Sequence, residues 1–326
     1  MGRERQILEI LGGGGFCSGE ALAQQLGVSR AAVWKIVRSL QELGVDIHAV
    51  RGRGYHLSEP LEFLEHDRVV AELQDAARSW VQGIEIHQRI DSTNSYLMSR
   101  AKCGLASGSA CFAELQSNGR GRRGRSWVSP FAANLYLSLL WRFPMGPALL
   151  TGLSLAVGVA VARALRGLGV ADIGLKWPND LLWRRRKLGG ILLEFGGEST
   201  GPCYVVAGVG LNVAMPKTAE AAIDQPWVDL RSIIGLGRVS RNRLAAHVLG
   251  EIVLAFADFE RNGFEGFRQD WERYDVVTGQ PITLRLATNT VIGIARGVDE
   301  TGALCLQTDA GIARYLGGEV SLRFTE

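Results

Sequence analysis

The segment that most constrains the fold lies at residues 119–127 and reads GRGRRGRSW. Its first seven residues contain four arginines and three glycines. Like charges repel and glycine costs ordering entropy, so this segment must lie in a loop rather than in a packed core element. Guanidinium groups match phosphate and carboxylate oxygens, and Trp127 could stack on a planar base. We expect a loop that is mobile until an anionic ligand orders it.

A generic RNA-binding Arg-Gly tract is the alternative for this loop. The motif occurs once, follows a predicted strand at residues 111–115 and leads into ordered pattern, which argues against a low-complexity tract. Residues 81–274 alternate predicted strands and helices and favour an α+β domain around a mixed sheet. Predicted strands at 84–90, 181–183 and 191–195 belong to it.

Three further motifs lie in this region. Asp91-Ser-Thr-Asn94 opens a predicted helix, where Ser92, Thr93 and Asn94 could cap it or could bind a small polar group. Lys176-Trp-Pro-Asn-Asp180 is followed by the basic run at residues 184–187 and by Gly189-Gly190. That run would be either a solvated hairpin tip or a ligand contact, and Asn179 and Asp180 could bind Mg²⁺ or orient an amine. Gly208-Val-Gly-Leu-Asn212 reads either as a close-packed strand or as a ligand floor with Asn212 as its polar contact.

These motifs favour one kind of chemistry. The sequence has no Walker P-loop, no Ser-His-Asp order and no metal-spaced Cys/His cluster. An anion-binding loop, an aromatic for a base and a lysine for a carboxylate suit adenylation, where a carboxylate attacks the α-phosphate of ATP. None of the five cysteines forms a C-x-x-C pair, and the N-terminal residues contain no apolar signal-peptide core, which favours a reducing cytoplasm. The apolar stretch at residues 148–162 is short for a membrane span and predicts a buried helix.

The N-terminal segment predicts a winged helix-turn-helix. Ser18 and Ser29 are candidate caps of two helices joined around Gly27, and residues 47–50 and 55–57 flank Arg51-Gly-Arg-Gly54 as a basic hairpin tip. The net charge of +3 does not indicate nucleic-acid binding, so this function rests on the local cluster. A small packing domain with solvated charges is the alternative. The candidate DNA contacts are Ser29, Arg30, Trp34, Lys35, Arg38, Arg51 and Arg53.

The remaining segments complete a three-domain prediction. Residues 61–80 predict a linking helix, and residues 275–326 predict five short strands of a small β-barrel. The predicted domains are therefore a DNA-binding domain at 1–62, a catalytic domain at 63–274 and a C-terminal domain at 275–326.

The four motifs at residues 91–94, 119–127, 176–180 and 187–190, in this order, resemble those of biotin–protein ligases. With the winged helix in front, the whole chain resembles the bacterial ligases that also repress the biotin operon. The resemblance implies a class II synthetase-like central sheet and an SH3-like C-terminal domain. It also implies synthesis of biotinoyl-5′-AMP from biotin and MgATP, followed by transfer of biotin to a lysine of the biotin carboxyl carrier protein. Further expectations are operator DNA as a partner and a homodimer of side-by-side sheets when the adenylate is bound.

The resemblance also implies roles for particular residues. Lys187, Arg122 and Asp180 are the expected catalytic residues, with the role of Asp180 open between amine orienter, metal contact and structural cap. The expected biotin contacts are Ser92, Thr93, Asn94, Gln116, Gly119, Arg120, Gly121, Arg122, Lys187, Gly190 and Gly208. The expected nucleotide contacts are Arg122, Arg125, Trp127, Lys176, Asn179, Asn212, Glu319 and Arg323. No protein cluster is expected to hold a metal, because Mg²⁺ would arrive with ATP.

Three alternatives stay open at this point. The chain could be a ligase without a regulatory role, or a lipoate–protein ligase of related fold. It could also be a transcription factor whose central domain only senses a ligand. The basic tip at Arg184-Arg185-Arg186 and the glycine run at residues 12–15 depart from what the predicted elements require.

Overall fold

The computed structural model describes residues 2–216, 219, 223–235, 240–286, 289–317 and 321–324. The N-terminal unit consists of helices α1 (Arg3–Gly12), α2 (Gly19–Leu26) and α3 (Arg30–Glu42) and the antiparallel strands β1 (Ile47–Val50) and β2 (Gly54–Leu57). Ser18 accepts a hydrogen bond from the Ala21 backbone N–H at 3.0 Å, and Ser29 accepts one from Ala32 at 3.2 Å. These caps start α2 and α3 where the sequence predicted. The helix-turn-helix with a hairpin wing is confirmed.

The segment that follows the wing differs from the prediction. Residues 61–65 form no helix, and two short helices follow, α4 (His66–Ala71) and α5 (Asp75–Arg78). The single linking helix predicted over residues 61–80 is therefore wrong. The backbone N–H groups of Leu64 and Glu65 donate to side chains that are distant in the sequence, Glu114 at 2.6 Å and Asn242 at 2.8 Å. These distant acceptors replace the carbonyls that a helix would have supplied.

The central domain is built on a seven-stranded mixed sheet in the order β3-β4-β5-β9-β8-β7-β6. Its strands are β3 (Gly83–His87), β4 (Ser109–Ala113), β5 (Leu135–Phe143), β6 (Ile173–Lys176), β7 (Asp180–Trp183), β8 (Arg186–Gly197) and β9 (Cys203–Leu211). β3 and β4 are parallel, and the other five neighbouring pairs are antiparallel. β3 ends three residues before the predicted position, and Ile90 instead forms a single parallel bridge with Gln116.

Helices cover both faces of this sheet. Phe112, Leu139 and Val205 point to the main core with α7 (Leu153–Gly167), α9 (Arg241–Asn262) and α10 (Glu265–Tyr274). Their neighbours in the strands point to the opposite face, which α6 (Thr93–Lys102) covers, and α8 (Leu230–Ile234) is a short further helix. This alternation follows from the two-residue period of a strand. The predicted buried apolar helix is α7, and within the described ranges no helix is long and apolar enough to cross a bilayer.

The C-terminal unit is an antiparallel sheet of five strands in the order β13-β12-β11-β10-β14. The strands are β10 (Pro281–Arg285), β11 (Thr290–Val298), β12 (Leu304–Thr308), β13 (Gly311–Tyr315) and β14 (Ser321–Phe324). Ile282, Leu284 and Leu322 join the main core, so this sheet packs on the central domain. The predicted α+β class with its three parts is confirmed, while closure of this sheet into an SH3-like barrel stays a prediction.

Candidate active site

A cavity of about 760 Å³ opens where the central sheet, the loop at residues 119–127 (the Gly-Arg loop) and the C-terminal sheet meet. Most of the predicted site residues line it. They are Ser92, Thr93, Asn94, Gln116, Arg120, Gly121, Arg122, Arg125, Trp127, Lys176, Asn179, Asp180, Lys187, Gly190, Gly208, Asn212 and Arg323. Gly119 instead packs under the loop, where a Cβ would lie 2.6 Å from the Trp127 carbonyl oxygen. Glu319 lies outside the described residues. The structure thus gathers residues that are more than 200 positions apart in the sequence.

Uncharged polar groups form a cluster on one wall, which we call the amide cluster and define as Thr93, Asn94, Gln116 and Ser138. The Thr93 backbone N–H and hydroxyl both donate to Gln116 Oε1, at 2.9 and 3.1 Å. Ser138 Oγ is buried and lies 2.7 Å from Thr93 Oγ1 and 2.5 Å from Asn94 Oδ1. Such a network holds donors and acceptors in fixed directions and suits a small polar ligand group.

The preceding residue, Ser92, has the capping role that the sequence allowed. Its hydroxyl accepts from the Ser95 backbone N–H at 3.4 Å and begins α6. The Asn94 amide donates to Glu194 Oε2 at 2.9 Å, and Arg120 Nη2 lies 2.6 Å from the same oxygen. Glu194 therefore connects Arg120, the first arginine of the Gly-Arg loop, to the amide cluster.

Two lysines share one buried carboxylate in the cavity. Lys187 Nζ lies 2.7 Å from Asp180 Oδ1, and Lys176 Nζ lies 2.9 Å from Asp180 Oδ2. Burial alone would raise the pKa of Asp180, but Lys187 and Lys176 outweigh that effect and hold the pKa at about 2. The carboxylate is therefore ionised at neutral pH. It fixes both ammonium groups in place and cannot serve as a ready proton acceptor.

The Gly-Arg loop crosses from the central domain to the C-terminal sheet. Arg122 donates from Nη1 to Asn179 Oδ1 at 2.9 Å and from Nη2 to the Gly317 carbonyl oxygen. Burial lowers the pKa of Arg122 from its ordinary value, and the nearby Asp180 opposes that shift. Arg125 Nη2 donates to Ser321 Oγ at 3.3 Å. These acceptors of Arg122 and Arg125 are neutral oxygens, which an anionic ligand could replace, whereas Arg120 is paired with the Glu194 carboxylate.

Trp127 closes one side of the cavity against two glycines. A Cβ at Gly210 would lie 2.5 Å from its indole ring, and one at Gly190 would lie 3.4 Å from it. Lys187 Nζ lies 5.6 Å from the ring centroid. The buried indole N–H has no acceptor among the described residues. An indole that packs on bare backbone, with an unused donor, can cover a flat ring of a ligand.

The balance of charge on the cavity wall is strongly positive among the described residues. The cations that line it are Arg120, Arg122, Arg123, Arg125, Lys176, Arg185, Lys187 and Arg323, and the anions are Asp180 and Asp224. Because Asp180 is already shared by two lysines, the surplus charge faces the cavity. No group of three His, Cys, Asp or Glu that could hold a metal occurs in the described part of the chain. The arrangement suits a polyphosphate.

Several lining residues were not among the predicted catalytic, biotin or nucleotide contacts. They are Tyr136, Arg185, Asp224, Gln225, Trp227 and Phe324. Ser138 and Glu194 contact the predicted residues without being predicted themselves. Both lie in the middle of long strands, where the sequence offers no local signal for a site. Arg185 did carry a signal, since its basic run exceeds what a hairpin requires.

The predicted DNA-binding residues all lie exposed on the N-terminal unit: Ser29, Arg30, Trp34, Lys35, Arg38, Arg51 and Arg53. On α3, the Arg38 guanidinium lies 5.4 Å from the Trp34 ring centroid, and Trp34 is 50% exposed. In the wing, the Arg53 guanidinium lies 3.9 Å from the ring centroid of Phe16. Exposed cations on a helix and on a hairpin tip match the electrostatic footprint of a winged-helix DNA binder.

Fold and cavity together define a class of protein, a nucleotide-dependent ligase of carboxylic acids with an attached helix-turn-helix. Comparison with family models agrees with this class. Residues 86–212 match the Biotin/lipoate A/B protein ligase family. Residues 3–56 match an HTH domain, and residues 277–323 match the Biotin protein ligase C terminal domain.

Whole-length relatives narrow the class. The chain is 41% identical to the Bifunctional ligase/repressor BirA of Escherichia coli (strain K12), over 98% of this chain and 97% of that protein. It is 35% identical to the Biotin--[acetyl-CoA-carboxylase] ligase of Mycobacterium tuberculosis, over 76% of this chain and 92% of that protein. A solved biotin protein ligase from Aquifex aeolicus in complex with biotin and ATP aligns with a TM-score of 0.65, at 29% identity, over 75% of this chain and 100% of that chain. The chain therefore belongs to the family of bifunctional biotin–protein ligase/repressors.

Proposed function

We propose that this protein activates biotin with MgATP to biotinoyl-5′-AMP and transfers the biotinyl group to a lysine of a biotin carboxyl carrier protein. We further propose that the adenylate-bound protein represses biotin synthesis genes by binding operator DNA. The observation that carries the ligase proposal is Lys187, held on Asp180 in the same cavity as the amide cluster and the Gly-Arg loop.

The first step needs charge neutralisation more than it needs a covalent intermediate on the enzyme. A biotin carboxylate oxygen attacks the α-phosphorus of ATP, the bond to the β-phosphate oxygen breaks, and pyrophosphate leaves with the electron pair. Lys187 and Arg122 supply cations beside this reaction, and Trp127 covers the adenine. The amide cluster together with Gly208 would bind the ureido ring, because it offers fixed donors and acceptors.

In the second step the carrier lysine amine attacks the acyl carbon, the bond from that carbon to the phosphate oxygen breaks, AMP leaves with the electron pair, and the amine proton is released to water. Asp180 is doubly paired and ionised, so we assign it the role of positioning Lys187 and Lys176 rather than of taking the amine proton. Asn179 supports Arg122, and Asn212 donates to the Val228 carbonyl oxygen at 3.2 Å behind the nucleotide side. Lys176, Arg125, Glu319 and Arg323 remain proposed nucleotide contacts, and Mg²⁺ is part of the MgATP substrate.

Repression requires a dimer that presents two winged helices to a palindromic site. A stretch of β8 that has, among the described residues, a neighbouring strand on one side alone supports such a dimer. β8 continues to Gly197, whereas β7 pairs with it only from Arg186 to Gly190. Beyond that point the described residues place no strand on this side of β8, and Phe195 is 41% exposed there. An unpaired edge is a template for pairing with a second copy.

The proposed division into domains at residues 62/63 and 274/275, and a cytoplasmic location, complete this proposal. The ligase part is tested by incubating the purified protein with biotin, MgATP and a biotin carboxyl carrier domain, and by measuring the mass of the carrier. A gain of one biotinyl group that depends on ATP is expected. An unchanged carrier mass with folded protein would favour a ligand-sensing transcription factor. A gain of one lipoyl group, when lipoate and biotin are supplied in competition, would indicate a lipoate ligase.

The repressor part needs a separate test. Binding of the protein to its candidate operator is measured with and without biotin plus MgATP, together with sedimentation under the same conditions. Tighter binding and a shift to dimer with both substrates are expected. DNA binding that ignores the substrates would leave a ligase without regulation.

A further inference from the structure

The hairpin between β7 and β8 turns through two arginines in an unusual conformation. Trp183 pairs with Arg186, so Arg184 and Arg185 alone make the turn. Both have positive φ, 47° and 64°. Two-residue hairpins of this kind favour Asn and Gly, because a Cβ disfavours the left-handed region. A side chain kept there despite the strain indicates a role for it.

The two arginines of the turn face different surroundings. Arg184 Nη2 lies 3.4 Å from Asp172 Oδ2, its guanidinium lies 4.5 Å from the Trp183 ring centroid, and it is not among the described residues that line the cavity. Arg185 instead lines the active-site cavity. Its guanidinium lies 5.1 Å from the Phe324 ring centroid, and its Nη2 donates to Gln280 Oε1 at 3.0 Å. Gln280, which precedes β10, and Phe324 of β14 thus both contact Arg185, which lines the cavity.

The charge of Arg185 has no carboxylate partner within the part of the chain that the structure describes, since its hydrogen-bond acceptor is a neutral amide. It precedes Lys187 by two positions, so the two Cα atoms are about 6–7 Å apart. Lys187 is the residue placed at the reacting carboxylate. The Arg185 guanidinium lies on the same positively charged wall of the cavity as Lys187. At a Cα separation of about 6–7 Å it can reach phosphate oxygens beyond the α-phosphate.

We propose that Arg185 binds the β- and γ-phosphates of ATP, and so holds the leaving pyrophosphate during adenylate formation. This inference rests on the proposed ligase function and extends it to a residue outside the four motifs. In the forward step the pyrophosphate leaves with the electron pair of the broken Pα–O bond, and Arg185 stabilises that added charge. In the reverse step the same contact would bind free pyrophosphate.

The test is biotin-dependent exchange of labelled pyrophosphate into ATP, at constant ionic strength, in wild type, R185Q, R185K and R184Q. R184Q is the matched control, because it removes the same charge from the same turn. Loss of a charged hydrogen-bonding contact predicts that R185Q raises the KM for pyrophosphate about tenfold or more. R185K should recover part of the loss, and R184Q should stay within about twofold of wild type.

A second measurement separates phosphate binding from damage to the fold. Transfer from preformed biotinoyl-AMP to the carrier domain involves no pyrophosphate, so R185Q should transfer at the wild-type rate. A KM for pyrophosphate within twofold of wild type in R185Q would overturn the proposal. Equal losses in R185Q and R184Q, or slow transfer from the preformed adenylate in R185Q, would overturn it as well.

Failure of the proposed function has a different signature. Wild type would then show no biotin-dependent exchange at all. Calorimetric titration with MgATP, and with inorganic pyrophosphate and Mg²⁺, still tests Arg185 in that case. Weaker binding in R185Q than in R184Q would support the phosphate site, and equal affinities would exclude it.

Discussion

Lys187 Nζ lies 2.7 Å from Asp180 Oδ1, at the centre of a cavity wall that otherwise carries a surplus of positive charge. The other oxygen of this carboxylate holds Lys176 at 2.9 Å. One buried anion therefore keeps two ammonium groups side by side, where they would otherwise repel each other. In the proposed reaction this pair would give the carboxylate and the phosphate a fixed cation without further rearrangement.

Replacement of Lys187 by alanine should strongly slow adenylate synthesis. A preorganised cation beside the attacked phosphate is worth about a hundredfold or more in rate. We expect biotin-dependent pyrophosphate release to fall by at least that factor. Lys102→Ala, an exposed lysine at the end of α6, is the matched control and should release pyrophosphate normally. Wild-type release by Lys187→Ala would remove this lysine from the chemistry.

The Asp180 carboxylate should make stability depend on pH in the acid range. Its pKa is about 2 in the folded protein against an ordinary 3.8, so it binds protons less readily when folded. A depressed pKa contributes stability that is present above the unfolded value and is lost as pH falls toward 2. The shift corresponds to roughly 2 kcal/mol at pH 6 and roughly half of that at pH 3.

Comparison with Asp180→Asn measures this contribution, because asparagine cannot titrate. The free energies of unfolding in urea should differ most near pH 6, and the difference should shrink between pH 5 and 3. A difference that stays constant over this range would mean that the carboxylate is not the titrating group.

Much of the site follows from local sequence. Two runs of neighbouring residues have a chemistry that restricts where they can lie: the Gly-Arg loop and the Lys-Trp-Pro-Asn-Asp segment. The helix caps Ser18 and Ser29 likewise follow from their immediate neighbours. The structure brings the loop and this segment to one cavity. The hairpin tip at Arg184-Arg185-Arg186 is more basic than a hairpin requires, and Arg185 belongs to this tip.

Other features could not be predicted, because they depend on strand register between distant segments. Ser138 contacts Asn94 across 44 positions, and Glu194 contacts it across 100. The residues of 61–65 have an apolar pattern that suits a helix. The N–H groups of Leu64 and Glu65 instead donate to the side chains of Glu114 and Asn242, which lie 50 and 177 positions away in the sequence. A local pattern carries no information about such partners.

Gly208 should be necessary for the proposed binding of biotin, because a side chain there would fill the cavity beside the amide cluster. A Cβ there would collide with the Asn94 carboxamide, whose oxygen is held by Ser138. Gly208→Ala therefore displaces the amide cluster, and we expect the Kd for biotin to rise by more than tenfold. Calorimetric titration with biotin measures this effect. Gly167→Ala, where a Cβ meets no atom within 4 Å, should bind biotin as wild type does; an equally weak Gly167→Ala would mean that any added methyl group disturbs the fold.

The wing arginines should control the salt dependence of DNA binding without affecting the ligase. Arg51 and Arg53 are exposed at the hairpin tip, and Arg53 stacks on Phe16. Each lost phosphate contact lowers the slope of log K against log salt by about 0.9 and weakens binding to all sequences alike. We expect Arg51→Ala and Arg53→Ala each to show this change in a titration of candidate operator DNA at several salt concentrations.

Arg261→Ala removes an arginine of α9 whose side chain is 72% exposed. It controls for net charge and should leave the slope unchanged. All three variants should biotinylate the carrier at the wild-type rate, because the wing contributes no residue to the cavity lining. A slope that falls equally in Arg261→Ala would show that overall charge, and not the wing, determines DNA affinity.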